Sequence, residues 1–312
     1  MFFRERSISM TQYPDHLDST SQPTAELETV DCVLCHHPEY RKKFVRFGYQ
    51  IVQCPNCSLW WVNPRISRSA VKDVYTDTYF KVRNFQNQVD RNREDSFKRL
   101  NCERHLQKIE HYHQKGKLLD LGCAEGLFLR VAQENGWEVS GVEVSSKAAE
   151  IAQRFLSGKV FQGMLEDAPF SENSFDVVTM FDVVEHLYDP VGALKGIYRL
   201  LKPGGIIYLL TPDCQSIFAK IMGKYWFEIK PKEHIYYFSD KTLQLLFEKC
   251  GFNPLTIKKA GKVLTFQYIS TILQKENPFF AGLLRGLTRW TPFYSTNITY
   301  PMGFIVGIGI KR

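Results

Sequence analysis

Leu118-Leu119-Asp120-Leu121-Gly122-Cys123-Ala124-Glu125-Gly126 is the stretch from which the rest of the chain is read. A short, mostly apolar run ends in a turn bounded by two glycines, and an amphipathic stretch of helix length (127–135) follows. Strand, glycine turn and helix in that order open a βαβ unit, because glycine lets the backbone bend sharply and approach a ligand. Outward from this unit the alternation repeats. Residues 117–121, 138–144, 159–162, 176–181 and 205–210 read as strands, and 127–135, 146–156, 190–201 and 240–250 as helices. This predicts an α/β fold, a parallel sheet covered by helices on both faces, with chemistry in the loops at the carboxyl ends of the strands.

The second strand sharpens this reading. Glu143 stands near its end, about twenty residues past the glycine loop, where a carboxylate can take both hydroxyls of a ribose. Asp120 can accept a hydrogen bond at the loop itself. The chain has 312 residues, 44% hydrophobic and 23% charged, which excludes collagen-like, fully disordered and small disulfide-scaffold classes. The length suits one large domain and a smaller one. The net charge is +7, and it is localised. After residue 250 eight basic residues (Lys258, Lys259, Lys262, Lys275, Arg285, Arg289, Lys311 and Arg312) stand against one acid, Glu276, so residues 1–250 are neutral. A chain-wide nucleic-acid surface is not what this distribution describes.

Residues 1–30 are polar and aperiodic and read as a disordered leader. In residues 31–65, Cys32-x2-Cys35 and Cys54-x2-Cys57 are separated by eighteen residues. Each pair can aim two sulfurs at one ion from a tight turn, and the two turns complete a tetrahedral thiolate site for structural Zn2+ with no open position for catalysis. Two disulfides or four reduced buried cysteines are the alternatives, and His36 and His37 lie close enough to replace a cysteine. The stretch resembles a zinc ribbon, and its aromatic flanks (Phe44, Phe47, Tyr49, Trp60, Trp61) favour a structural or substrate-gating role over a nucleic-acid reader. Residues 66–116 read as a charged helical connector or lid, in which Tyr75, Tyr79 and Phe80 form either a lid or a core stripe.

From residue 117 to 251 the sequence resembles the class I S-adenosylmethionine-dependent methyltransferases. LLDLGCAEG looks like their first motif, with Ala124 where many members have glycine; GVEVS looks like the second, and NSFDVVTMFDVVEHLYDP and LKPGG like the fourth- and fifth-strand signatures. The loop's G-x-x-x-G spacing departs from the G-x-G-x-x-G of dinucleotide oxidoreductases. The resemblance implies a Rossmann-like seven-stranded sheet with helices on both faces over residues 117–312, interrupted by an insertion at about 260–300, and S-adenosyl-L-methionine as cofactor. It places Asp120, Gly122, Cys123 and Gly126 at the methionine part, Glu143 at the ribose, Met164 and Leu165 at the adenine, and Phe181 on the sulfonium side. Met164 stands where the family often has an acid.

Methyl transfer needs a nucleophile aligned behind the methyl group, and a base where an oxygen must lose its proton. Glu185 and His186 after the fourth strand, with His234 in PKEHIYYFS, are the catalytic candidates. They serve as a base, as a helix start, or, with Asp182, as a site for a second divalent metal. The last reading rests on a resemblance to ubiquinone-pathway O-methyltransferases and small-RNA 2′-O-methyltransferases, which have Glu in place of Asp182. The run GKYWFEIKPKEHIYYF reads as a substrate wall or as the cover of the sheet edge. In the tail, NPFFAGLLRGLTRW reads as a basic amphipathic helix that acts as a substrate lid, a protein contact or a peripheral membrane contact. The final GFIVGIGIKR reads as an antiparallel last strand.

The start of the chain carries charges where a signal peptide would be apolar, and no run is long enough to span a membrane, so a cytoplasmic enzyme is expected. Its acceptor is expected to be a small molecule: a sugar, glycan, lipid-linked or natural-product intermediate. An RNA methyltransferase reading its substrate with the ribbon, and an inert zinc-dependent interaction protein, are the rival readings.

Overall fold

The structure, a computed structural model, describes residues 26–70, 88–265, 282, 286 and 297–312. Residues 1–25 of the expected leader, the expected lid around Tyr75, Tyr79 and Phe80, and the expected basic helix of the tail apart from Gly282 and Gly286 lie outside them.

The expected alternation folds into a seven-stranded sheet. Strands β6 (Lys117–Leu121), β7 (Glu138–Glu143), β8 (Val160–Gln162), β9 (Phe175–Phe181) and β10 (Leu201–Pro212) run parallel, and β12 (Asn253–Thr265) and β13 (Asn297–Ile310) complete it in the order β12-β13-β10-β9-β6-β7-β8. Only β13 is reversed, pairing antiparallel with both β10 and β12, as expected of the last strand. The near-continuous apolar runs of β6, β9 and β10 reflect burial on both faces. The helices start where their caps direct. Ser145 accepts from the Ala148 amide ahead of α3 (Ser146–Phe155), Asp189 from Gly192 ahead of α4 (Pro190–Leu200), α5 is the short Ile217–Met222, and Ser239 and Thr242 form a capping box for α6 (Asp240–Lys249). Helix α1 (Gln88–Tyr112) buries Phe97, Leu106 and Ile109 beside α2 (Leu127–Glu134), on one face of the sheet.

The cysteine-bearing segment is woven into this body. Strands β2 (Arg41–Arg46), β3 (Tyr49–Gln53) and β4 (Trp60–Val62) form an antiparallel sheet whose fourth strand, β11 (Tyr236–Tyr237), comes from the far end of the chain. Its register sets Tyr236 opposite Trp61 and Tyr237 opposite Trp60. Strand β1 (Leu27–Glu28) pairs with β5 (Arg65–Ile66). So short a segment has no core of its own. Cys32, Cys54, Leu59 and Trp61 share one buried cluster with Leu119, Val178, Leu209 and Phe238, which puts the ribbon and the large sheet on a common core. The aromatic run before β11 lies between the sheets: Trp226, Tyr236 and Tyr237 are buried and only Tyr225 is well exposed. Among the described residues, no helix is long and apolar enough to cross a membrane.

Candidate active site

The glycine turn after β6 is shaped by close approaches. Gly122 (φ +72°) and Gly126 (φ +76°) occupy the left-handed region, and a Cβ on Gly122 would lie 2.6 Å from Val183 Cγ2. Ala124, where the resemblance leads one to expect glycine, takes the left-handed region too, at φ +47°. It is held there by Glu143. One Glu143 carboxylate oxygen accepts from the Ala124 amide and the other from the Ser145 amide, both at 2.8 Å, so the acid at the end of β7 braces the loop after β6. Each oxygen keeps acceptor capacity beyond these bonds.

Asp120 is buried one strand away and accepts from Thr179 Oγ1 at 2.7 Å. Burial, together with the nearby charge of Glu143, pushes its carboxyl up to about 7, and the Thr179 bond only partly offsets this. Cys123 turns inward, its sulfur beneath Gly141, where an added Cβ would approach it to 2.8 Å; its amide donates to the Val142 carbonyl. Burial raises the thiol well above its usual range. Beyond β8, Met164 is exposed and Leu165, on a one-turn helix at Leu165–Asp167, is half-buried. Phe181 ends β9 with its ring 4.6 Å from Phe128 and 5.3 Å from His105. These residues follow four adjacent parallel strands at their carboxyl ends, where open α/β sheets bind ligands.

A second cluster forms across β10. Glu185 and His186 lie on a single 3-10 turn, Val184–His186, and α4 begins only at Pro190, where Asp189 caps it. The pair therefore does not start the helix, because proline and its capping acid set the first helical turn further on. His234 arrives on the segment leading into β11. Glu185, His186 and His234 each offer a ligand atom within 4.8 Å of the others. His186 Nδ1 lies 2.9 Å from the Glu233 carbonyl and His234 Nδ1 2.8 Å from the Glu228 carbonyl. A carbonyl can only accept, so both imidazoles carry hydrogen on Nδ1, and in the neutral ring Nε2 is the nitrogen with the lone pair. Their rings meet edge to face at 4.8 Å.

Glu185 is 1% exposed; Oε2 accepts from Thr211 at 3.0 Å, while the buried Oε1 has no hydrogen-bond partner. Burial, reinforced by the charge of Asp182, pushes the carboxyl up to about 8, and burial lowers His186. Asp182 thus acts on Glu185 and His186 electrostatically and is not among the converging ligand groups. A buried carboxylate with one unpartnered oxygen, converging with two imidazoles, suits a divalent cation. Sequence reasoning missed Thr179 and Thr211, the hydroxyls that hold the two buried acids, and the carbonyls that orient the imidazoles. Carbonyls leave no trace in a sequence, and a threonine at a strand end is not distinctive.

The four cysteines converge as their spacing predicts. Cys32 and Cys57 sulfurs are 3.4 Å apart, as are those of Cys35 and Cys54, and all four lie within 4.8 Å of one another. Tetrahedral thiolates about 2.3 Å from Zn2+ stand a little under 4 Å apart, so the set fits that ion. Each pair sits in a matching turn: the amides of His36 and Ser58 donate to the Cys32 and Cys54 carbonyls, and both residues take the left-handed region. None of the eight cysteines is in a disulfide.

A family model described as a methyltransferase domain matches residues 90–257, over half of the chain. The chain belongs to the class I methyltransferase family. The ubiquinone biosynthesis O-methyltransferase of Thiobacillus denitrificans is 34% identical over 125 residues, 37% of this chain and 54% of that relative. The Pseudomonas aeruginosa protein of the same name is 29% identical over 128 residues, with the same shares of each chain. The chain therefore spans about half the length of these curated relatives. A chain from the Haloferax volcanii complex with the Trm112 methyltransferase activator superposes with a TM-score of 0.50 over 70% of this chain and 92% of that one, at 16% identity. That likeness is one of fold.

Proposed function

We propose that this protein transfers the methyl group of S-adenosyl-L-methionine to a hydroxyl oxygen of a small-molecule acceptor, with a divalent cation held by Glu185, His186 and His234. The observation that carries the reading is the convergence of those three side chains, with both imidazoles fixed by backbone carbonyls. Asp120 and the Gly122–Gly126 turn, including the Cys123 backbone, would hold the methionine portion of the cofactor. Glu143 would accept from the ribose hydroxyls, Met164 and Leu165 would flank the adenine, and Phe181 would close the sulfonium side. Two buried acids at adjacent strand ends suit a ligand with cationic sulfonium and ammonium groups.

A bound cation would lower the pKa of an acceptor hydroxyl and orient its oxygen. Glu185 and the two Nε2 atoms would hold that cation, and burial of Glu185 and His234 would limit competition from water. The matched relatives are O-methyltransferases by name, which supports oxygen as the methylated atom. A sugar, glycan, lipid-linked or natural-product intermediate is the proposed acceptor class. The charge neutrality of residues 1–250 weighs against RNA, whose phosphates depend on many Lys and Arg contacts. Zinc at the four thiolates is structural in this reading, and the basic C-terminal segment offers a lipid or protein contact.

The test is radiolabelled methyl transfer to a panel of phenolic, sugar and lipid-linked acceptors, with transcribed RNA as a further lane. Labelling of a hydroxylated small molecule, lost in Glu185→Ala and under EDTA that leaves the thiolate zinc bound, is the expected result. Activity that survives EDTA overturns the cation and leaves His186 or His234 as base; label appearing in RNA alone overturns the acceptor class.

A further inference from the structure

His186 and His234 arrive on separate segments, 48 positions apart in the chain, and a shared residue holds both. Arg65, on β5, is 9% exposed. Its Nη1 donates to the Tyr188 carbonyl at 3.3 Å and to the Tyr236 hydroxyl at 3.0 Å. Tyr188 lies two residues past His186, and Tyr236 two past His234. The same guanidinium donates through Nε to Glu28 at 2.7 Å and lies 4.6 Å from the centre of the Tyr188 ring, whose hydroxyl donates back to the Ile66 carbonyl at 2.8 Å. A planar, permanently charged fork fixes the relative geometry of the groups that satisfy it, which a flexible lysine would not.

The main chain runs the same way. The Val62 amide, at the end of β4, donates to the Ile235 carbonyl at 2.9 Å, and the Ile235 amide donates to the Glu185 carbonyl at 2.8 Å. The cysteine-bearing segment is therefore linked to all three members of the cluster: to Glu185 and His186 through Ile235 and Tyr188, and to His234 through Ile235 and Tyr236.

We propose that Arg65 is a positioning residue for the Glu185, His186 and His234 cluster, setting the separation of the two imidazoles from the cysteine-bearing segment. The proposal rests on reading those three side chains as cation ligands. It gives that segment a part in forming the acceptor corner, beyond binding zinc.

The experiment titrates Mn2+ into the zinc-loaded full-length protein by electron paramagnetic resonance, with S-adenosylhomocysteine affinity measured by calorimetry. Removing a group that orients metal ligands typically weakens the metal about 10- to 100-fold, so Arg65→Met is expected to weaken Mn2+ by about tenfold or more. S-adenosylhomocysteine affinity should stay within about twofold, because no Arg65 contact reaches the glycine loop. The Nδ1 protons of His186 and His234, protected in the wild type by their carbonyl bonds, should exchange faster in the variant by NMR. Unchanged Mn2+ affinity with unchanged imidazole signals overturns the proposal. If Arg65→Met does not fold, Tyr236→Phe, which removes only the hydroxyl acceptor, decides by the same readouts: a several-fold weakening supports the proposal and no change overturns it. A wild type that binds no Mn2+ sinks the cation reading alone, and the imidazole signals then decide whether Arg65 positions the histidines.

Discussion

The corner around the glycine loop and the corner around Glu185, His186 and His234 both lie at the carboxyl ends of sheet strands, and they are held by different means. At the first, the loop is braced within β6, β7 and the turns that follow them: Glu143 holds Ala124 across 19 positions of chain, and Gly122 allows the close approach of Val183. At the second, the imidazoles are oriented by the Glu228 and Glu233 carbonyls, Glu185 is held by Thr211, and the flanking segments are tied to Arg65. A loop braced within one βαβ unit can be altered with local consequences. A site gathered from four stretches of chain depends on everything that keeps them in register.

Loss of zinc should break the comparison most forcefully. Structural zinc contributes on the order of 10 kcal/mol to folding of small metal-dependent modules, and here Cys54 and Cys57 share a core with the large sheet. Cys54→Ser is expected to bind less than one zinc per chain by atomic absorption and to lower the thermal midpoint steeply. In whatever folded fraction remains, Mn2+ binding at the Glu–His corner should fall further than S-adenosylhomocysteine binding; an equal fall in both would erase the distinction.

Next in size is Glu143→Ala. It removes two charge-assisted bonds to the loop, at about 1.5–3 kcal/mol each, as well as the proposed ribose contacts. Cofactor affinity by calorimetry should drop about a hundredfold or more, with Mn2+ affinity unmoved. A drop of less than threefold would count against the ribose assignment.

Asp120 gives a smaller, pH-dependent effect. Its pKa in the fold, about 7, lies above its ordinary value of 3.8, so the native state holds the proton more tightly than the unfolded chain. The associated stability is present in full below about pH 4 and is lost as pH rises through 7. The apoprotein with Asp120→Asn should therefore lose less stability than wild type between pH 5 and pH 8, with an advantage on the order of 2 kcal/mol at pH 8 by urea unfolding. Parallel pH profiles for the two proteins would show that Asp120 is not the group responsible. Smallest is Thr211→Val, which deletes one buried bond to Glu185, about 1 kcal/mol; Mn2+ affinity should weaken by a few-fold and cofactor affinity should not change.

The same contrast explains which parts were legible in the sequence. The loop from Asp120 to Gly126, Glu143 at its spacing, the five parallel strands and the paired cysteines were all readable, because each rests on backbone conformation or short-range spacing. Ends shifted by a residue or two, and β10 extended at both ends, since pairing with β9 and β13 carries it past its apolar run. For Glu185 and His186 the sequence leaves base, helix start and metal ligand open, although Asp189-Pro190, three residues further on, already marks the start of the next helix. In the sequence Arg65 marks only the end of the cysteine-bearing stretch 31–65. Nothing near it in the chain announces Tyr188 or Tyr236.

By itself, then, the sequence determined the α/β order, the glycine turn with its bracing acid and the convergence of four thiols, because periodicity, left-handed turns and ligand spacing act within a few dozen residues. Only the tertiary structure decided that β11 completes the cysteine-bearing sheet, that His186 and His234 face each other with Nδ1 already engaged, and that one guanidinium ties their segments together. Those are contacts between positions far apart in the chain, made by carbonyls and hydroxyls common to every sequence. Burial in a shared core is what selects them.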